Sequence, residues 1–419
     1  MTKVKFISIA FFVLLVLGGN AQNIKDETVE YRYIKLPLSP LPSAIKNYQS
    51  SIFAPYEEEN KKKKAEYDVK QKAAEVIFQK EKDAYPAKVK QAENKFNAEM
   101  VEWKKKSLGE KVIEKQILGE NNKPVLYTPS PPYMQNVPLP DLRTSYDYPV
   151  LANSYIMLDG YANKNENPIK IDVTIYGYDY TEPRQMSEQK NVASYANGQT
   201  STSILNYYHT EFSYRHTMSV KVTAPDGKEL FNITPQELNS YKIFKTPAST
   251  AGAPINSQML VKTYEEKILQ ENLTLINNLV NDKIGYRRVL RKVELNYVKS
   301  KDETYKDLLI AFNDASSGLK ILIEDEANAK SKLENAINLW KTALLESDPK
   351  NKKARIDKDV TIAIYFNLLE CYFATNNTAE ADKIMIALNS MDISSSKRKL
   401  KDDYESLFND IKKRALTNK

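Results

Sequence analysis

Few residues in this chain of 419 are of the types that commonly carry catalysis or bind transition metals. There are two histidines, His209 and His216, and one cysteine, Cys371. The histidines are separated by an odd interval in a strand-like stretch, where successive side chains point to opposite faces. We therefore expect them on opposite faces, not as ligands of one metal. The sequence predicts no metal site, no cofactor site and no catalytic site.

Motifs that would supply other chemistry are also missing from the sequence. HExxH, CxxC, GxSxG, GxGxxG and the P-loop do not occur, so nucleotide binding is not predicted. A glycosidase needs only two facing carboxylates, and the chain has 54 acidic residues. Their spacing does not single out a pair, so a hydrolase is an alternative to the non-enzymatic protein that we expect. Candidate members of such a pair include Asp141, Asp147, Asp159 and Asp172.

The first 21 residues have the pattern of a secretory signal peptide. Lys3 and Lys5 precede an apolar run over residues 6–17, and small residues lead to a cleavage point after Ala21. The run is short for a membrane span of about 20 residues, although a signal anchor is the alternative. We expect an exported bacterial protein without a transmembrane span in the mature chain, either periplasmic, associated with the outer membrane or at the cell surface.

With a single cysteine, the exported chain has no intramolecular disulfide, so its cores alone must hold it together. Cys371 is expected to be a small buried residue. The formal net charge of +7 favours weak contact with anionic surfaces. An exported chain without an arginine-rich recognition element is not expected to bind nucleic acid.

The elements that would position these residues define a multidomain α+β protein. A charged helical arm is inserted into an antiparallel β-sandwich-like domain, and a mainly α-helical domain follows. The predicted segments are a signal peptide (1–21), N-terminal strands of the β domain (22–56), the charged arm (57–118), a Pro-rich loop (119–150), the body of the β-sandwich (151–250) and the helical domain (256–419).

Residues 57–118 differ in composition from the rest of the chain, since almost half of them are charged. Apolar residues recur there at intervals of three and four, which predicts one apolar stripe along a helix. Pro86 interrupts the stripe, and proline fits only the first turn of a helix. The arm is therefore either one kinked helix or a helical hairpin. The stripe consists of Tyr67, Ala74, Phe78, Tyr85, Val89, Ala92, Phe96, Met100 and Trp103.

The arm also contains the basic run Lys61, Lys62, Lys63 and Lys64. This run is a candidate contact for an anionic surface, and the alternative is a solvated helix face.

The β region is indicated by period-two alternation. Ile169, Ile171, Val173 and Ile175 alternate with polar residues, as in a strand that has one face on a core. About half of the 27 tyrosines lie between residues 127 and 245. They either cover an exposed sheet face or form a contact surface, for example by stacking on a sugar. The tyrosines singled out for such stacking are Tyr178 and Tyr180.

Ala336, Trp340 and Ala343 place a small residue, an aromatic residue four positions later and a small residue three positions after that. This spacing resembles the second helix of a tetratricopeptide repeat, and residues 325–416 resemble a degenerate unit of that family. Small residues let two helices approach, and the aromatic ring fills the space between them. Pro349 stands one position later than the family's proline.

A second, partial repeat follows the first. Tyr365, Leu368 and Tyr372 occupy the aromatic, leucine and tyrosine positions of the family's first helix. Asn376 stands at the turn, where glycine is usual and asparagine tolerates a left-handed conformation. Ala381 opens the second helix 45 positions after its counterpart, whereas the family's period is about 34. An unrelated helical bundle is the alternative.

The resemblance implies binding of a protein or peptide in a groove between helices, without catalysis. We therefore expect an adaptor or scaffold whose partners are envelope proteins, in an assembly such as secretion, surface motility or outer-membrane biogenesis. The alternatives are a periplasmic holdase chaperone that uses the charged arm and a carbohydrate-binding surface protein. The residues predicted to line the groove are Asn338, Lys341, Tyr365 and Tyr372.

Overall fold

The computed structural model describes residues 23–116, 123–196, 199–252, 256–299 and 303–418, and the predicted signal peptide lies outside these ranges. The fold is mixed α+β with a C-terminal helical region, as predicted. The helices are α1 (Tyr56–Lys105), α2 (Leu108–Gln116), α3 (Tyr148–Tyr155), α4 (Gln236–Asn239), α5 (Ser257–Ile284), α6 (Lys306–Lys320), α7 (Glu326–Leu344), α8 (Lys358–Ala374), α9 (Thr378–Asn389) and α10 (Ser395–Thr417). The strands are β1 (Ile24–Lys35), β2 (Asn47–Phe53), β3 (Ala162–Asn163), β4 (Ile169–Tyr180), β5 (Arg184–Ala196), β6 (Gln199–Thr223), β7 (Glu229–Ile233), β8 (Lys242–Lys245) and β9 (Arg287–Val298).

Strands β2 to β8 form one seven-stranded sheet with the order β3-β2-β4-β6-β5, and β7 and β8 also pair with β6. The alternation predicted for β4 is confirmed, because Ile169, Ile171, Val173 and Ile175 are fully buried. β2 runs parallel to β3 and β4, while the other pairs are antiparallel. The predicted antiparallel two-sheet sandwich is not confirmed, since these strands form a single mixed sheet.

The buried face of this sheet packs against α3 and α5. Leu269, Leu273, Ile276 and Val280 recur at intervals of three and four and share a core with the β4 side chains. The Asn256 side chain caps α5 by accepting a hydrogen bond from a backbone N–H of its first turn. The prediction grouped this helix with the C-terminal domain (256–419), whereas its apolar face belongs to the sheet.

A second core brings together β1, β9 and the helices α6 to α10. Trp340 of α7 is only 1% exposed within it. Helices α6 and α7 approach closely at Gly318, where an added Cβ atom would lie 3.1 Å from the carbonyl oxygen of Ala329. A side chain at this position would have to displace its neighbours by a few tenths of an ångström, so the glycine permits the close approach of the two helices.

The N-terminal strands of residues 22–56 divide between the two cores. β2 joins the large sheet as predicted, but β1 pairs antiparallel with β9 over its whole length. Val29 and Tyr31 of β1 are buried among the C-terminal helices. The assignment of both strands to the β domain therefore differs from the structure, because the apolar face of β1 completes the helical core instead.

The charged arm is one continuous helix, α1, which contains Pro86, followed by the short helix α2. The helical-hairpin alternative is wrong. Every residue of the predicted stripe is at least half-buried, from Tyr67 to Trp103, although the rest of the helix surface is largely exposed. The stripe therefore needs a partner along the length of α1.

That partner is the Pro-rich segment of residues 123–147, which has no helix or strand and runs back along α1. The Lys123 ammonium lies 5.9 Å from the centre of the Trp103 ring, and the Tyr85 hydroxyl donates to the carbonyl of Pro129. Near the base, Asn60 exchanges two hydrogen bonds with the backbone of Arg143. These contacts define an antiparallel pair of one helix and one extended chain.

The length of α1 agrees with the length of the extended segment that runs along it. Asn60 and Trp103 are about 65 Å apart along a helix that rises 1.5 Å per residue. The segment from Lys123 to Arg143 covers this distance with about 3.2 Å per residue, close to the 3.1 Å rise of polyproline II. Its prolines suit this conformation because their fixed φ is close to that of polyproline II and because this conformation needs no backbone N–H donor. We call this pair of α1 and residues 123–143 the braced arm.

A second projection is the hairpin of β5 and β6. Residues 184–196 pair with residues 199–211, and the turn between them lies outside the described residues. The side chains of residues 184–195 are exposed, apart from Val192, which is half-buried.

The two cores are joined where β1, α5 and α10 end. The Arg414 guanidinium, 4% exposed, pairs with Asp282 of α5 at 2.7 Å and donates to the carbonyl of Leu36 after β1. Lys35 also pairs with Asp282, at 2.8 Å. We call these residues the clasp. Of the helices in the described ranges, none has both the length and the apolar character that a membrane span requires.

Candidate functional site

The turn between α8 and α9 is the centre of the candidate site. Asn376 has a left-handed backbone with φ of 53°, which confirms the conformation predicted for it. The Asn377 side chain then caps α9 by accepting a hydrogen bond from the Glu380 N–H. Asn376 lines two open grooves, one on each side of this turn.

The first, which we call the α7–α9 groove, has a volume of about 610 Å³. It lies between one face of α7 and the start of α9, and three of the four predicted binding residues line it. Asn338 and Lys341 are exposed on α7, and Tyr372 forms part of the floor from α8. The lining also includes Lys330, Glu334, Ile337, Thr375, Asn377, Thr378, Ala379 and Glu380.

An ion pair lies across this groove between α7 and α9. The Lys341 ammonium lies 3.1 Å from the Glu380 carboxylate, and hydrogen bonds from Lys383 and Lys341 lower the pKa of that carboxyl group. Burial raises the pKa of Tyr372 to about 12, so its hydroxyl stays protonated as a donor at neutral pH. The groove therefore offers an ammonium, an amide and backbone groups to an occupant, but no nucleophile and base in contact.

Tyr365, the fourth predicted residue, does not line this groove. It is half-buried against the C-terminal core, and burial raises the pKa of its hydroxyl. On α8 it stands two turns before Tyr372, or about 10 Å along the helix axis. Because these two helical turns separate the tyrosines, Tyr365 lies outside the α7–α9 groove.

The second, which we call the α8–α10 groove, has a volume of about 590 Å³. Its walls include apolar side chains such as Phe373, Leu407 and Ile411, together with charged residues of the clasp. Sequence reasoning missed this groove, because its wall combines β1 and α10, which come from opposite ends of the chain. The remaining lining residues are Tyr33, Ile34, Lys35, Leu36, Arg288, Leu322, Ile323, Glu326, Ala374, Asn376, Asp410 and Arg414.

A buried charge cluster in the C-terminal core was also missed. Glu370 of α8 is fully buried and accepts two hydrogen bonds of 2.7 Å from Arg291 of β9. The hydroxyl groups of Tyr31 and Tyr404 donate to the same carboxylate. The Arg291 guanidinium also lies 4.9 Å from the centre of the Phe373 ring. The available signal was Glu370 itself, the one charged residue in the apolar run of residues 360–374 of α8, since a buried charge requires a partner.

The two histidines lie on opposite faces of β6, as predicted. His216 is on the buried face, 3% exposed and packed edge-on against the Tyr178 ring. Burial lowers the pKa of His216 to about 4, so the ring is neutral at physiological pH. His209 lies on the other face, 3.6 Å from the Glu211 carboxylate. Within the described ranges, the structure contains no cluster of His, Cys, Asp and Glu that could hold a metal ion.

Other candidate residues have structural contacts. Tyr178 is 7% exposed, so its ring is not available for stacking on a sugar, whereas Tyr180 is half exposed. Asp147 caps α3, and Asp172 accepts a hydrogen bond of 2.6 Å from Ser51. Cys371 is fully buried, as predicted.

The basic run of residues 61–64 lies in the first turns of α1. Lys61 pairs with Glu58 at 2.7 Å, and Lys63 pairs with Glu59 at 2.8 Å. Hydrogen bonds from these lysines lower the pKa values of both carboxyl groups. Contact of this run with an anionic surface stays a prediction.

Comparisons of the chain with protein-family models, with curated proteins and with solved structures find no match.

Proposed function

We propose that this chain is an exported, non-enzymatic adaptor of a bacterial cell envelope. It binds a segment of a partner protein across the α8–α9 turn. The observation that carries the proposal is the meeting of two open grooves at Asn376, one polar and one partly apolar. Each has a volume within the range of about 300–1,000 Å³ that is typical of binding sites.

The two grooves suit one extended or helical segment. A segment that crosses the turn would place apolar side chains in the α8–α10 groove and polar or acidic groups beside Lys341 in the α7–α9 groove. Lys341 is 53% exposed, so its ammonium is accessible although it is paired with Glu380. An acidic group of the partner can compete for this lysine at little cost, because exposed ion pairs contribute less than about 1 kcal/mol.

The helix order supports a tetratricopeptide-like arrangement of this domain. α6 with α7 and α8 with α9 are consecutive helix pairs, and α10 follows as a closing helix. The small residues Ala336, Ala343 and Ala381 are almost fully buried, as close helix packing requires. The long connection between α7 and α8 accounts for the wide spacing of the pairs. There Arg355 pairs with Asp307 at 2.9 Å and also with Glu346.

The braced arm supports an adaptor over a single-site binder. After Ala74, the residues of α1 are at most partly buried, so most of the helix contributes little to either core. It extends about 65 Å beyond its base. A second partner that binds the arm would thus be held at a distance from a partner in the grooves.

Site-specific photocrosslinking tests the groove. A photoreactive residue at Asn338, on the groove wall, is compared with one at Glu405, which is exposed on α10 outside both grooves. The expected result is a defined crosslinked envelope protein from position 338 that does not form from position 405. Lys341→Glu should abolish this crosslink, whereas Lys352→Glu, the same change in an exposed connection, should leave it intact.

Equal crosslinking from both positions would refute the groove assignment. A broad mixture of unfolded outer-membrane proteins, captured from position 338, would favour the chaperone over the adaptor. Loss of the crosslink with Lys352→Glu would show that net charge, and not the groove, controls capture.

A further inference from the structure

The outer edge of β5 is the longest strand edge in the described part of the sheet without a pairing partner. β5 pairs only with β6 among the described strands, and this pairing has no register shift over its 13 residues. Natural edge strands are protected by proline, bulges, short length or several charges. β5 contains no proline, and Arg184, Glu188 and Lys190 are its only charged residues.

We propose that this edge pairs with the same edge of a second copy of the chain. The two β5 strands run antiparallel around a two-fold axis that passes through Gln189. The result is a continuous four-stranded ribbon made from the two β5–β6 hairpins. A partner strand satisfies the exposed backbone N–H and C=O groups of β5, which is the general mode of strand addition.

The charges of β5 select this register. A two-fold axis normal to the sheet keeps each residue on its own face, so even-numbered residues oppose even-numbered ones. With the axis at Gln189, Glu188 of one copy faces Lys190 of the other, twice per dimer. The two adjacent registers place Glu188 opposite Glu188 or Lys190 opposite Lys190. Like charges directly opposite each other destabilise a strand pair.

The apolar residues agree with the same register. Met186 of one copy faces Val192 of the other, on the same face as the charge pairs. Met186 is 42% exposed in the single chain, so pairing would shield it from water. Arg184 opposes the neutral Ser194, so no like-charge contact remains over the paired residues 184–194.

Cysteine crosslinking tests the axis. The native Cys371 is fully buried and does not compete in the folded protein. In the proposed dimer the two Cα atoms of residue 189 lie about 4.5–5.5 Å apart, within disulfide range. Gln189→Cys should therefore form a disulfide-linked dimer on mild oxidation. Asn191→Cys is the matched control, because its two copies lie about 13 Å apart along the strands.

A mixture of two different cysteine variants tests the register directly. Ser187→Cys and Asn191→Cys should each form no disulfide-linked dimer alone, yet form a mixed disulfide when combined, because residue 187 of one copy faces residue 191 of the other across the axis. Sedimentation then tests the charges. Lys190→Glu should weaken dimerisation about tenfold, since two attractive pairs become repulsive. The swapped double variant Glu188→Lys/Lys190→Glu should restore it.

Several results would overturn the proposal. These are a monomer at all concentrations, equal crosslinking of Gln189→Cys and Asn191→Cys, or a double variant no better than Lys190→Glu. All the substitutions lie on the exposed hairpin, and circular dichroism of each variant checks that the two cores stay folded. The result does not depend on either groove, so it is independent of the adaptor proposal.

Discussion

Removal of Arg291 should destabilise the C-terminal core far more than removal of the neighbouring lysine. Glu370 is fully buried, and its bidentate partner Arg291 is 24% exposed. Arg291→Ala leaves the carboxylate with two tyrosine hydroxyl donors and no counter-charge. Breaking a buried pair from one side costs about 3–5 kcal/mol. We expect a loss of stability in this range for Arg291→Ala.

A native tryptophan in the C-terminal core can report its unfolding by fluorescence. Trp340 is 1% exposed there, and the other tryptophan, Trp103, is on the arm. In a Trp103→Phe background, fluorescence in urea follows the C-terminal core alone, and the shift of the transition midpoint gives the change in the free energy of unfolding. The control is Lys292→Ala on the same strand. The Lys292–Glu30 pair is 65% and 49% exposed, so it should contribute less than about 1 kcal/mol.

A third variant tests the asymmetry of the pair. Glu370→Gln should cost less than Arg291→Ala, because the arginine can turn toward water whereas the carboxylate cannot. The amide oxygen introduced by this substitution can also still accept a hydrogen bond from a tyrosine hydroxyl. If Arg291→Ala lowers stability no more than Lys292→Ala, the pair does not control this core. If Glu370→Gln is the more costly variant, the reasoning about desolvation is wrong.

Three further predictions concern other parts of the chain. The unfolded chain protonates His216 below about pH 6.5, whereas the folded chain does so only near pH 4. The free energy of unfolding should therefore fall by about 1.4 kcal/mol for each unit by which the pH is lowered between these two values. His216→Phe should remove this contribution from thermal unfolding measured against pH. Burial raises the pKa of the Cys371 thiol and excludes reagents, so labelling by a thiol reagent should proceed only at the rate of unfolding; fast labelling in the native state would contradict the packing of α8. Asn60→Ala removes two hydrogen bonds to the Arg143 backbone, one of which protects the Arg143 N–H, so hydrogen exchange at the Arg143 amide should accelerate while exchange in α8 stays unchanged.

Local sequence patterns were sufficient to predict the conformation and the buried face of a single helix or strand. The alternation of β4 predicted its buried face, and the spacing from Tyr67 to Trp103 predicted the stripe of α1. The Pro-rich loop predicted for residues 119–150 has no helix or strand over its described residues 123–147, but its end was wrong, because α3 begins at Tyr148 with Pro149 in the first turn, where proline is tolerated. In each case the period of the side chains directly reports a geometry that short-range sterics impose.

Partner choice between distant elements was not predictable in this way. β1 is amphipathic, and its sequence does not distinguish the sheet of β2 from a pairing with β9. The choice depends on a core to which Tyr31 contributes a hydroxyl group bonded to Glu370, 339 positions away. The same argument applies to α5, whose apolar stripe suits either core. For the candidate site, spacing along α7 identified Asn338 and Lys341, but only the packing of the helices shows that Tyr365 lies two helical turns away from the groove.

If a partner binds as we propose, the location of the α8–α10 groove would connect that binding to the contact between the two cores. Lys35, Leu36 and Arg414 line this groove and also form the clasp. The Arg414 guanidinium meets Asp282 of α5 and Asp410 of α10 at 2.7 and 2.9 Å. An occupant that adds a carboxylate beside these cations would compete with Asp282, whereas an apolar occupant would exclude water and strengthen the clasp. Since α5 packs on the sheet from which the braced arm extends, we expect the chemistry of a segment bound in this groove to set how firmly the arm is held relative to the grooves.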